Sequence, residues 1–118
     1  MSESGWLRVL SAFGVEDSDY LDWVLARLTK GKREYGDASF RRAPQSLLWE
    51  IRQECLDIAG WAVVLTHVLE RRGELTEEIV QKLAVLTRRA EQMYQSVEAI
   101  EQVLYEQEAV RGAQRAPG

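Results

Sequence analysis

Hydrophobic residues recur every three or four positions along most of this chain, and no stretch alternates apolar and polar residues in the way of a strand. This spacing predicts amphipathic helices over about residues 6–13, 17–35, 44–72 and 76–108. We therefore expect an all-α protein, a helical bundle of about four helices, two of them long, completed by oligomerisation.

The predicted helix ends carry residues that favour such positions. Asp17 or Ser18 caps the second helix, Pro44 opens the third, and Thr76 caps the fourth. Glycines follow the first three helices, namely Gly14, Gly36 and Gly73. The segments 1–5 and 109–118 lie outside the periodic pattern, and we expect them to be frayed tails of one domain that spans residues 1–118.

The fourth helix has an unbroken heptad pattern. Its apolar positions alternate spacings of four and three residues: Ile79, Leu83, Leu86, Ala90, Met93, Val97, Ile100 and Leu104. A pattern of this length predicts packing against the helix's own chain and against a second subunit, hence a homo-oligomer such as a dimer or tetramer. A monomer whose bundle closes on itself is the alternative.

The third helix carries three carboxylates on one side. Glu50, Glu54 and Asp57 stand at i, i+4 and i+7, and the same stripe continues into apolar positions such as Trp61. We expect half-buried carboxylates, which repel one another unless they are protonated, paired or bound to a cation. Mg²⁺, or Mn²⁺, prefers carboxylate oxygens, so this acidic stripe is a candidate metal site. The alternatives are a solvated face and pairing with Arg or Lys of neighbouring helices.

The segment before the third helix is locally basic. Residues 27–42 contain six basic residues against two acidic ones, although the whole chain has a net charge of −4. Cationic side chains can hold phosphate oxygens while an aromatic ring stacks on a base. The candidate substrate-binding residues are Lys32, Arg33, Tyr35, Phe40, Arg41 and Arg42. A solvated loop whose charges serve solubility is the alternative.

Composition narrows the class of protein. The net charge of −4 and the pI near 5.1 argue against binding to nucleic-acid polymers, which depends on phosphate neutralisation. No apolar run approaches the length of a membrane span, and no signal-peptide pattern opens the chain. The single cysteine, Cys55, predicts a buried thiol in a cytoplasmic protein. His67, the only histidine, is expected near the surface.

Two of these segments resemble a known family. The run Lys-Arg-Glu-Tyr-Gly-Asp-Ala-Ser-Phe at 32–40 and the run Glu-Ile-Arg-Gln-Glu-Cys-Leu-Asp at 50–57 are similar to MazG-like nucleoside triphosphate pyrophosphohydrolases, in the short form of phages and bacteria. The resemblance implies an all-α oligomer that uses Mg²⁺ to hydrolyse nucleoside triphosphates to monophosphate and pyrophosphate. Glu54 and Asp57 match the family's Glu-x-x-Asp pair, whereas its upstream Glu-x-x-Glu pair has no counterpart before Glu50.

The sequence thus supports two hypotheses. In the first, the protein is a cytoplasmic Mg²⁺-dependent nucleotide pyrophosphohydrolase, in which Glu50, Glu54 and Asp57 hold the metal and serve catalysis, and the basic and aromatic residues bind the nucleotide. In the second, it is a non-enzymatic helical-bundle protein that oligomerises or binds a partner through the heptad helix 76–108. Neither hypothesis involves a membrane.

Overall fold

The computed structural model describes residues 2–115, and in this range the chain is all-α. The helices are α1 (Glu3–Ala12), α2 (Ser18–Tyr35), α3 (Pro44–Arg71) and α4 (Glu77–Arg115), and a short 3₁₀ helix occupies Ala38–Arg41. The predicted fold class is confirmed, and the two long helices are the two that were expected to be long.

Local capping explains where the helices begin and end. The Asp17 carboxylate accepts a hydrogen bond from the Tyr20 N–H at 2.9 Å, and the Thr76 hydroxyl accepts one from the Ile79 N–H at 3.2 Å. Pro44 is the first residue of α3. Gly36 ends α2 with a φ of +62°, a conformation that a side chain would disfavour. The predicted ends of α2 and α3 are confirmed within one residue.

Both ends of the described chain are more regular than expected. The Ser2 hydroxyl accepts a hydrogen bond from the Gly5 N–H at 3.4 Å, so α1 begins at Glu3 rather than Trp6. At the other end, α4 continues to Arg115 instead of stopping near Glu108. Residues 3–5 and 109–115, which we expected to be frayed tails, thus belong to α1 and α4, and Gly112 lowers helix propensity without ending α4. Residues 1 and 116–118 of the predicted tails lie outside the described residues.

The chain divides into two compact units, Met1–Arg42 and Ala43–Gly118, which we describe one at a time. In the first unit α1 packs against α2, and among residues 2–42 Trp6 is the one large side chain that is buried, with 5% exposure. A single domain over the whole chain remains a prediction.

In the second unit α3 and α4 form an antiparallel hairpin, joined by residues 72–76 and packed along their lengths. We call the side chains between these helices the seam. On α3 the seam consists of Leu48, Arg52, Cys55, Ala59, Ala62, Thr66 and Leu69, and on α4 of Leu83, Thr87, Ala90, Tyr94, Val97, Glu101 and Leu104. Each set alternates spacings of four and three, so the hairpin packs as a short coiled coil.

The seam divides the heptad pattern that the sequence showed on α4. Leu83, Ala90, Val97 and Leu104 belong to the seam, whereas Leu86, Met93 and Ile100 lie outside it and are 43% to 49% exposed. Thr87, Tyr94 and Glu101 occupy the seam positions beside them. Half of the apolar pattern thus packs within the chain, and half faces outward.

Candidate functional site

The acidic stripe lies on the exposed side of α3. Glu50, Glu54 and Asp57 are all exposed, while the buried residues of this helix are Leu48, Cys55 and Ala62. Our expectation of half-buried carboxylates is wrong, because α4 packs against the side with small residues and the acids point away from it. Water therefore screens the repulsion between them.

The stripe is an accessible set of oxygen donors rather than a closed metal cage. Among residues 2–115, no group of three or more His, Cys, Asp or Glu side chains is arranged to hold a metal ion. Glu50 is also engaged in another interaction within the chain. Mg²⁺ in enzymes is commonly held by only one or two carboxylates, with substrate phosphates and water as the other ligands. Glu54 and Asp57, one helical turn apart, fit that requirement.

Large apolar side chains are exposed on the outside of the hairpin, and on α3 some of them are sequence neighbours of the stripe. We call this set the outer face; it consists of Leu47, Ile51, Trp61, Val64, Leu65 and Val68 on α3 and Leu86, Met93, Ile100 and Val103 on α4. Two tryptophans of α3 are also exposed, Trp61 by 70% and Trp49 by 53%. Exposed apolar side chains in this number are typical of a surface that binds another molecule.

The structure brings together only some of the predicted substrate-binding residues. Phe40 stacks on Trp6, with ring centroids 6.2 Å apart and an interplanar angle of 8°. The Lys32 ammonium lies 6.0 Å from the centroid of the same indole. Tyr35 is exposed, with no ring contact among the described residues, and Arg33 and Arg41 are exposed as well. Arg42 is exposed and engaged in another interaction.

Trp6 is the residue that sequence reasoning missed. Lys32 and Phe40 both contact its indole ring, yet in the sequence Trp6 is only one apolar residue of a short amphipathic helix. Beside it, Glu3, Trp6, Thr29, Lys32 and Arg33 line a cleft of about 320 Å³. The first unit therefore contains a small concave surface with two cationic side chains.

One polar cluster occupies the seam of the second unit. The Arg52 guanidinium donates to the Glu101 carboxylate at 3.1 Å, and it lies 5.5 Å from the centroid of the Tyr94 ring. The Arg52 side chain is 16% exposed and the Glu101 side chain 44%. Cys55 is buried and His67 exposed, as predicted. Neither belongs to the acidic stripe.

Comparison with known proteins returned no matching family model, no matching curated protein and no matching solved structure. Within residues 2–115, no helix combines the length and the apolar character that a membrane crossing requires.

Proposed function

We propose that this protein is a Mg²⁺-dependent nucleoside triphosphate pyrophosphohydrolase that releases pyrophosphate from ribonucleotides or deoxyribonucleotides. The observation that carries the proposal is the exposed acidic stripe, in which Glu54 and Asp57 are open to solvent and resemble the Glu-x-x-Asp pair of the MazG-like family. When bound, the divalent ion neutralises phosphate charge and activates an attacking water.

The proposal assigns a role to each of the candidate site residues. Glu54 and Asp57 hold the ion, and Glu50, one turn earlier, is an additional carboxylate of the same stripe. Two carboxylates would fill only part of the coordination sphere of Mg²⁺, which would leave positions for oxygen atoms of the nucleotide. The predicted substrate ligands Lys32, Arg33, Tyr35, Phe40, Arg41 and Arg42 remain part of the proposal. A cytoplasmic location is also part of the proposal.

The proposal also includes a homo-oligomer. The outer face consists of exposed apolar side chains, some of them next to the acidic stripe in the sequence of α3, and a second copy would cover them. Covering them would also remove water from the neighbourhood of the carboxylates and strengthen their attraction for a cation.

A panel of nucleoside triphosphates incubated with Mg²⁺ and scored for pyrophosphate tests this function. We expect release from at least one nucleotide, its loss on chelation, and a loss of at least about a hundredfold in Glu54→Gln, which keeps the shape of the side chain and removes its charge. Glu70→Gln, at another exposed position of α3, is the matched control and keeps full activity. Equal turnover by both variants would refute the catalytic role.

A second candidate function is a helical-bundle interaction protein without catalysis. The exposed residues Leu86, Met93 and Ile100 favour it, because they form a heptad-spaced apolar line on α4 that the chain itself leaves uncovered. The same assay separates the two candidates: an interaction protein associates equally well with and without Mg²⁺ and releases no pyrophosphate.

A further inference from the structure

The cleft between α1 and α2 combines features that suit a small anion. Its lining includes two cations, Lys32 and Arg33, and one acidic side chain, Glu3. The Lys32 ammonium is held over the Trp6 ring, with its charge at the cleft. A volume of about 320 Å³ is at the small end of ligand sites, enough for a phosphate or pyrophosphate group.

Trp6 supplies a second and independent observation. Its indole Nε1 is buried, and it has no hydrogen-bond acceptor within the part of the chain that the structure describes. The indole N–H is a donor only, and buried donors in native proteins nearly always have a partner. A ligand with acceptor oxygens would satisfy it from the cleft that Trp6 lines.

The neighbouring hydroxyl does not fill this role. The Thr29 hydroxyl donates its proton to the Leu25 carbonyl at 2.8 Å, so it has no proton left to offer a ligand. The donors at the cleft are therefore the Lys32 ammonium and the Arg33 guanidinium, and the buried indole N–H becomes a third donor when the side chain that covers it moves.

We propose that this cleft binds a phosphate group, with the Trp6 N–H as hydrogen-bond donor and Lys32 and Arg33 as charge partners. Because Nε1 is fully covered, a side chain at the cleft shifts when the anion enters. Lys32 is the flexible one, and it exchanges its contact with the ring for a contact with phosphate oxygens. Glu3 opposes the anion and limits its affinity.

The inference deepens the proposed function by assigning a position to a phosphate group, and it rests on that function for a nucleotide as the source. Free inorganic phosphate has the same chemistry and is the other source. Binding is measured without Mg²⁺ and without turnover, so the failure of this inference and the failure of hydrolysis are distinguishable.

The experiment is a titration of the full-length protein followed through its indole N–H resonances by NMR. The probes are inorganic phosphate, pyrophosphate and deoxyadenosine triphosphate, each at constant ionic strength set with chloride. We expect a saturable shift of the Trp6 indole resonance, with Trp23, which is 68% exposed, as the internal control. Tighter binding of pyrophosphate and of the triphosphate identifies the nucleotide as the source, whereas tighter binding of phosphate identifies the free ion.

Matched variants show which residues contribute to anion binding. Lys32→Gln weakens binding about tenfold, as expected for the loss of one charged hydrogen bond, while Lys30→Gln, which removes an exposed charge two residues away, leaves it nearly unchanged. Glu3→Gln tightens binding. Trp6→Phe keeps an aromatic ring but removes the donor and its resonance, so binding to this variant is followed through backbone amide resonances of the cleft residues. We expect Trp6→Phe to weaken binding and Trp23→Phe to leave it unchanged. Should Trp6→Phe fail to fold, the affinities of Lys32→Gln and Glu3→Gln for the anion decide whether the cleft is the binding site. No saturable shift, or equal losses in Lys30→Gln and Lys32→Gln, would overturn the proposal.

Discussion

The two units of this chain bury different kinds of side chain. The first unit is centred on one large aromatic residue, Trp6, which is 5% exposed and carries Phe40 and Lys32 against its ring. The seam of the second unit instead buries small residues, among them Cys55, Ala62 and Ala90. Large apolar residues of α3 and α4, such as Trp61 and Ile100, are on the outside.

Because of this difference, the two units leave different kinds of group without a partner in the structure. Small side chains let two helices approach closely but remove little apolar surface from water, so the hairpin retains an apolar outer face that a partner could cover. A single buried indole removes much more surface, but it takes a polar N–H into the interior with it. The second unit thus leaves apolar surface exposed, and the first leaves one buried N–H without an acceptor among the described residues.

The largest effect is expected from enlarging a seam residue. Ala90→Leu places three extra carbon atoms where the residue is 1% exposed, and overpacking of this kind costs about 1–3 kcal/mol of unfolding free energy. Ala99→Leu adds the same atoms at an exposed position of the same helix and serves as the control. Urea denaturation measures both. Equal urea midpoints for the two variants would show that the seam is loosely packed and that its small side chains do not bring the helices close together.

A smaller effect is expected on association. Ile100→Lys puts a charge into the outer face at a residue that is 49% exposed, so the monomer should fold normally while self-association weakens by roughly tenfold or more. Light scattering at several concentrations measures this, against a subunit mass of 13.5 kDa. Gln95→Lys, at an exposed position outside the outer face, is the control. A wild-type protein that is monomeric at micromolar concentration would remove the oligomer from the proposal.

The smallest effect is expected at the polar cluster of the seam. Arg52→Ala loses the ion pair with Glu101, the contact with Tyr94 and the packing of its own carbon chain, in all about 1 kcal/mol. Arg72→Ala removes an ion pair with Glu74 at which the arginine side chain is 65% exposed, and it should change stability by less than about 0.5 kcal/mol. Thermal melts of both variants compare a half-buried ion pair with a surface one. A larger loss in Arg72→Ala would reverse that ranking.

Local sequence signals predicted the elements of this fold well. Asp17, Gly36 and Pro44 act through the backbone of their own turns, so their effect does not depend on the rest of the molecule. The side of α3 that faces α4 was not predictable in this way, because apolar residues occupy nearly every side of α3. The seam is marked by small residues such as Cys55 and Ala62, and these give only a weak hydrophobic signal.

The same limitation applied to the candidate site. The acidic stripe was recognisable from its helical spacing, but its exposure depends on which side of α3 the partner helix takes. The contacts of Lys32 and Phe40 join Trp6 to residues 26 and 34 positions further along the chain, and no local pattern encodes them. The substrate-binding roles of these residues remain predictions.

Arg52 and Glu101 also bear on how the hairpin selects one alignment among several. Along the seam, Arg52 is the only charged residue of α3 and Glu101 the only charged residue of α4. Sliding α4 by one heptad would keep most small and apolar side chains in contact, since the pattern repeats. In one direction the slide would put Tyr94 in the place of Glu101 and leave Arg52 without a carboxylate, whereas in the other direction it would bring Glu108 to that place. We therefore expect the pair to disfavour the first of these shifted alignments and not the second.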